Sequence, residues 1–166
     1  MKAILFPGQG SQVVGMGSDL YKNFKHVREI FSEADEVLKF KLSKIILDGP
    51  NEDLKLTQNT QPAIMLVSYS IFSTIKKNYD FDYKDYRFFT GHSLGEYSSL
   101  VCSEVLTFKD ALFLLYERGK AMQEAVPVGQ GSMLAVLGTD IKKIKSLLIS
   151  NELDKKVCEI ANDNAI

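Results

Sequence analysis

Cysteine is scarce in this chain. Its 166 residues include two, Cys102 and Cys158. Neither belongs to a CxxC pair, and two thiols build neither a disulfide framework nor a zinc site. Both read as small apolar fillers. A surplus of one charge is missing too. Twenty Lys and Arg against 21 Asp and Glu leave a net charge of −1, so no global basic field draws the chain to nucleic acid or an anionic membrane. Long apolar runs are also absent. The opening run Met1–Phe6 is stopped by Pro7-Gly8 and is too short for a signal peptide. The most apolar window, Ala63–Val67, is broken by Ser68 and Ser70, far short of the roughly 20 residues of a membrane span. No repeat or low-complexity segment occurs. A reducing, cytoplasmic setting is expected.

What is present suits a globular protein: 45% hydrophobic and 25% charged residues, on a chain long enough to bury a core without staples. Ala3–Phe6 reads as a short buried strand that Pro7-Gly8-Gln9-Gly10 ends. Phe24, Val27, Phe31, Ala34 and Leu38 recur at helical spacing. Gly49-Pro50-Asn51 makes a turn. Thr60-Gln61-Pro62 predicts a helix start, a capping residue before an early proline. That helix runs to about Lys77, apolar on most sides and therefore central. Arg87–Thr90 predicts a second core strand leading into Gly91-His92-Ser93-Leu94-Gly95, with helices over Glu96–Cys102 and Phe108–Glu124. After a hinge-like loop at Pro127–Gly131 come a strand at Ser132–Leu137, a helix at Ile141–Leu148 and a strand at Lys156–Ile160. Alternating strands and helices imply an α/β fold with a mostly parallel sheet. Such a sheet carries its ligands at the carboxyl ends of its strands, where both glycine-bearing loops belong.

G-x-S-x-G is a weak pattern alone. Between a strand and a helix it becomes a nucleophile elbow, whose glycines permit a bend that Cβ atoms would obstruct. Ser93 is then raised at a helix N-terminus beside the Leu94 N–H, where dipole and amide favour the oxyanion of an acyl intermediate. The plainer alternative is that Ser93 merely caps the helix. The Pro7–Gln12 loop offers a second oxyanion donor, with Gln9 between two glycines as the candidate; otherwise it is a glycine-rich turn. Gly8 and Gly10 do not make a dinucleotide fingerprint, because Val13 stands where a third glycine belongs.

These residues carry a specific resemblance. Phe6-Pro7-Gly8-Gln9-Gly10-Ser11-Gln12 with Gly15-Met16-Gly17, then Thr60-Gln61-Pro62-Ala63, then Gly91-His92-Ser93-Leu94-Gly95-Glu96-Tyr97-Ser98, then Arg118-Gly119 with Met122–Pro127, appear in the order of the malonyl-CoA:acyl-carrier-protein transacylases, which the chain resembles over almost its whole length. The resemblance implies an α/β-hydrolase-like core over 1–126 and, over 127–166, the first part of an inserted ferredoxin-like subdomain. It implies an S-acyltransferase of fatty acid biosynthesis. Ser93 would take malonyl from coenzyme A and pass it to the phosphopantetheine thiol of acyl carrier protein, with Gln9 and Leu94 amides as oxyanion hole. It further implies that Arg118 holds the malonyl carboxylate and that His92 lines the pocket. Without the resemblance, Arg118 reads as a surface cation paired with Glu117 or Glu124. A serine esterase or thioesterase is the alternative function. No metal or cofactor is called for, and a monomer is expected at full length.

The chain departs from the resemblance in one respect. The family's general base is a histidine well downstream of the serine, and the two histidines here are His26 and His92. His92 is badly placed as a base, because neighbouring side chains diverge at a tight turn. His26 reads as a solvated surface residue. The family's later active-site glutamine is missing as well. The chain is therefore expected to be about the first half of a family member, nearly inactive alone and prone to aggregate.

Overall fold

The computed structural model describes residues 1–127, 129–152 and 157–163. The chain divides into two compact units, Met1–Gln130 and Gly131–Ile166.

The first unit opens with strand β1 (Lys2–Phe6). Five helices follow: α1 (Ser18–Asn23), α2 (Lys25–Leu38), α3 (Leu42–Asp48), α4 (Asn51–Lys55) and α5 (Thr57–Asn78). A 3₁₀ turn at Tyr83–Asp85 leads to β2 (Tyr86–Gly91), α6 (Leu94–Cys102) and α7 (Phe108–Ala125). The apolar stripe of α2 packs as its spacing requires, burying Val27, Ile30, Phe31, Ala34 and Leu38. Asp35 on the same helix is buried for another reason. It reaches α3 and accepts from the Ser43 N–H at 2.9 Å and the Ser43 hydroxyl at 2.6 Å, satisfying donors that a helix start leaves open.

The central helix α5 is buried over most of its first four turns. It begins at Thr57, three residues before the expected Thr60. Thr60 is not its cap. The Thr60 hydroxyl donates to the Leu54 carbonyl at 2.6 Å and Asn59 Nδ2 donates to the Asp53 carbonyl at 2.9 Å, so both side chains tie α4 to α5. Pro62 consequently lies inside the helix, where its missing N–H leaves the Gln58 carbonyl without an i+4 donor.

β1 and β2 pair in parallel, with Ala3 opposite Phe88, Leu5 opposite Thr90 and Phe6 opposite Gly91. Parallel pairing demands a crossover, which α1–α5 supply. One sheet face carries Ile4, Phe6 and Phe89 into a cluster with Phe72 and Cys102. Phe89 stacks on Phe6 at 6.4 Å and meets Phe72 edge-on at 5.8 Å. Burial pushes the Cys102 thiol up to about 12, as suits an inert filler. The other face bears Ala3, Leu5 and Phe88 and is open, with Leu5 75% and Phe88 50% exposed.

In the second unit, α8 (Ile141–Ser150) starts at Asp140, whose side chain accepts from the Lys142 N–H at 2.7 Å. The expected strand Ser132–Leu137 does not form; Met133, Leu134 and Leu137 are exposed. Of the expected strand Lys156–Ile160, Lys156 lies outside the described residues and 157–160 form no strand. A strand's backbone groups need a neighbouring ladder, and the described residues offer these segments none. The α/β class and the parallel sheet therefore hold, while the β-α-β unit expected here is represented by its helix. Among the described residues, no helix is long and apolar enough to cross a membrane.

Candidate active site

The site begins with where the chain leaves the sheet. Because β1 and β2 are parallel and Phe6 faces Gly91, both exits lie at one end. The two loops meet there. A Cβ built on Gly8 would stand 3.0 Å from the His92 carbonyl oxygen and 3.3 Å from His92 Nδ1. A Cβ on Gly95 would stand 2.6 Å from the Phe6 oxygen, and one on Gly91 would run into the Gly95 backbone. The bend between β2 and α6 can therefore close only with glycine at 91 and 95.

Ser93 is the residue at that bend. Its φ of 55° and ψ of −113° lie in a region that L-residues rarely adopt. The side chain is exposed, and it makes no capping hydrogen bond to α6. The plainer reading of Ser93 as a helix cap is thus overturned: the backbone closes the first turn by itself, through Gly95 N–H to the His92 carbonyl (2.9 Å) and Glu96 N–H to the Ser93 carbonyl (3.1 Å). In the facing loop, the Gly10 N–H donates to Gln12 Oε1 at 2.8 Å and the Ser11 hydroxyl donates to the Gly8 carbonyl at 2.9 Å. These bonds brace the turn around Gln9, which is exposed at its tip.

Helix α7 brings a cation to the serine. Arg118 Nη2 donates to Ser93 Oγ at 3.0 Å, and Nη1 donates to Gln61 Oε1 at 2.6 Å. Arg118 does not pair with Glu117 or Glu124. The neighbouring residue explains the placement. A Cβ on Gly119 would stand 2.6 Å from Gln58 Cα and from the Thr57 oxygen, so glycine lets α7 press against the first turn of α5. Arg118 is thereby set beside Gln61. Sequence reasoning marked Gln61 only as part of a motif. The available signal was an amide at the head of an apolar run, in a helix expected to be central.

The remaining predicted residues lie as follows. Leu94 is fully buried and opens α6 directly after Ser93. His92 is exposed, with its ring turned to the Gly8 side of the bend. His26 is not a solvated surface residue. It is partly buried, shares a 3.1 Å hydrogen bond with Thr74 Oγ1 and lies 5.6 Å from the Phe24 ring. Burial first, then Lys77, hold its imidazole below the ordinary 6.5, against an opposing pull from Glu29. Thr74 is thirteen residues along α5 from Gln61, about 20 Å at the helical rise, so His26 is remote from Ser93. Two open surface hollows, of about 280 and 360 Å³, are lined by Tyr69, Val101 and Val105–Phe108, and by Phe40, Gln58 and Tyr116 among others. Neither includes Ser93, Arg118 or Gln61 in its lining; the serine stands on an open shelf.

A parallel α/β unit with a serine raised on a strand-to-helix bend defines the structural class of this chain. Within that class the chain belongs to the acyl transferase domain family, whose model matches residues 4–164. It is 43% identical over 165 residues to the malonyl CoA-acyl carrier protein transacylase of Bacillus subtilis (strain 168), covering 98% of this chain and 50% of that protein. The structure superposes on acyl-carrier-protein-S-malonyltransferase from Bartonella henselae with a TM-score of 0.89 at 43% identity, over 99% of this chain and 52% of the other. A type II PKS acyl-carrier protein in complex with its malonyl-transacylase gives a TM-score of 0.81 at 42% identity, over 89% and 47%. The chain spans about half the length of the curated relatives it matches.

Proposed function

We propose that this chain is the serine-bearing part of a malonyl-CoA:acyl-carrier-protein transacylase of fatty acid biosynthesis. Ser93 Oγ attacks the thioester carbonyl of malonyl-CoA. The O–C bond forms, the C–S bond breaks, and the hydroxyl proton ends on the coenzyme A thiol. The phosphopantetheine thiol of acyl carrier protein then attacks the malonyl-Ser93 ester, and the serine recovers a proton as the new thioester forms. The N–H groups of Gln9 and Leu94 hold the oxyanion in both halves. Arg118 grips the free malonyl carboxylate through two parallel hydrogen bonds, and His92 lines the pocket.

The observation that carries this reading is the 3.0 Å bond from Arg118 Nη2 to Ser93 Oγ. In a malonyl ester the second carboxyl is one methylene from the acyl carbonyl, so a guanidinium within hydrogen-bond reach of the nucleophile suits that group. An esterase or thioesterase for neutral acyl chains would want apolar surface there. The partner reading is supported by the similar malonyl-transacylase whose structure is of a complex with an acyl-carrier protein. No general base is assigned among these residues: His26 is remote from Ser93, and His92 diverges from it at the bend. The chain alone is then slow, since losing the base in an analogous serine enzyme costs about 10⁶ in kcat. Residues 1–126 belong to an α/β-hydrolase-like core and 127–166 to the start of a ferredoxin-like subdomain, in a cytoplasmic protein that is monomeric at full length.

Prolonged incubation with malonyl-CoA, followed by peptide mass spectrometry, tests the proposal. A malonyl adduct at Ser93, absent in Ser93→Ala and strongly reduced in Arg118→Lys, is expected. Equal labelling by acetyl-CoA, or an adduct elsewhere only, removes the malonyl reading.

A further inference from the structure

We infer that Gln61 is a positioning residue for Arg118 and, through it, a determinant of acyl selectivity: its neutral amide oxygen fixes the guanidinium yet leaves the positive charge free for an anionic acyl group. The inference rests on the roles given to Ser93 and Arg118 above and adds a part that neither supplies.

Gln61 is 1% exposed in the company of Ala63, Met65 and Leu66, all fully buried. Nothing in the packing of α5 asks for an amide there. Met or Leu would fill similar volume without the cost of burying one. The amide is oriented from both ends. Its Nε2 donates to Met122 Sδ at 3.2 Å, and its Oε1 accepts from Arg118 Nη1 at 2.6 Å. The sulfur carries no hydrogen, so it can only accept. Reversed, the amide would set its N–H against the guanidinium N–H. Met122 lies four residues after Arg118 on α7, on the same face, and the Gly119 contact holds α7 against α5. The guanidinium is thus pinned at one nitrogen and presents the other to Ser93.

Neutrality of the acceptor is the chemical point. A carboxylate at 61 would make an equally good hydrogen bond, but it would pair the cation before any substrate arrived. An acyl carboxylate would then meet a neutral pair. An apolar residue at 61 would leave the charge free and the guanidinium unanchored.

The test is equilibrium dialysis of the full chain against an equimolar mixture of malonyl-CoA and acetyl-CoA, with bound and covalently attached acyl groups read by mass spectrometry. The malonyl-to-acetyl ratio is the measurement, because the coenzyme A portion is common to both ligands and partial unfolding affects both alike. Wild type should favour malonyl, and Arg118→Ala should remove the preference. Gln61→Glu should cut the ratio by roughly tenfold, the scale of one hydrogen bond to a charged group. Gln61→Met, of matched volume, should cut it less and serves as the variant if Gln61→Glu does not fold. A residue with a purely structural role would lower both ligands and leave the ratio intact. A ratio unchanged in both Gln61 variants while Arg118→Ala abolishes it overturns the role of Gln61 and leaves the malonyl reading standing. No preference in wild type removes both.

Discussion

At Ser93 the backbone is held at φ 55° and ψ −113°, a conformation that costs a residue bearing Cβ about 1–3 kcal/mol. Glycine adopts it freely. Ser93→Gly should therefore be more stable than Ser93→Ala by about 1 kcal/mol in urea denaturation, although neither can carry an acyl group. Equal stabilities would mean that the bend stores no strain. His26 makes a second prediction at this scale. The fold holds its imidazole below 6.5, so the unfolded chain takes the proton first as pH falls. Stability present above 6.5 is then lost as pH drops through the folded value. His26→Gln, which can keep a hydrogen bond to Thr74, should flatten the dependence of the urea midpoint between about pH 7 and pH 5. A slope unchanged by the substitution would assign that dependence to other groups.

Among the elements, the contact of α7 with α5 decides where the cation goes. It depends on Gly119, which leaves no room for a Cβ against Thr57 and Gln58. Gly119→Ala should cost about 2 kcal/mol or more of stability through overpacking. It should also weaken malonyl discrimination, because the strain is relieved by moving α7 and Arg118 with it. Denaturation and the two-ligand competition read the two effects separately; a variant with native stability and selectivity would refute this role for the helix contact. Strands behaved differently from helices here. The spacing of Phe24, Val27, Phe31, Ala34 and Leu38 marked α2 because a helix satisfies its own backbone and needs from outside only cover for one face. Ser132–Leu137 has the composition of a strand and no ladder to join, which local sequence does not reveal.

Taken as a whole, the first unit presents one sheet face to its helices and, among the described residues, leaves Leu5 and Phe88 on the other face exposed. Leu5 and Phe88 lie on that open face, and a two-stranded sheet is marginal on its own. Apolar surface of this kind favours association. The isolated chain should elute from size exclusion at an apparent mass that rises with concentration, and Leu5→Lys with Phe88→Glu should reduce both that rise and dye binding to exposed apolar surface. Concentration-independent elution of the unmodified chain would show that this face does not drive association.

Local sequence alone determined the class of fold, the positions of the main helices and both strands of the sheet, and the serine at a glycine-flanked bend. Each depends on short-range rules: side-chain periodicity, turn chemistry, and the steric freedom of glycine. Only tertiary structure decided that Arg118 turns from Glu117 and Glu124 toward Ser93, that Gln61 holds it there, and that His26 is partly buried against Thr74. Those outcomes arise where α2, α5 and α7 cross. Such crossings join residues tens of positions apart, and no local pattern in the chain encodes which side chains will meet.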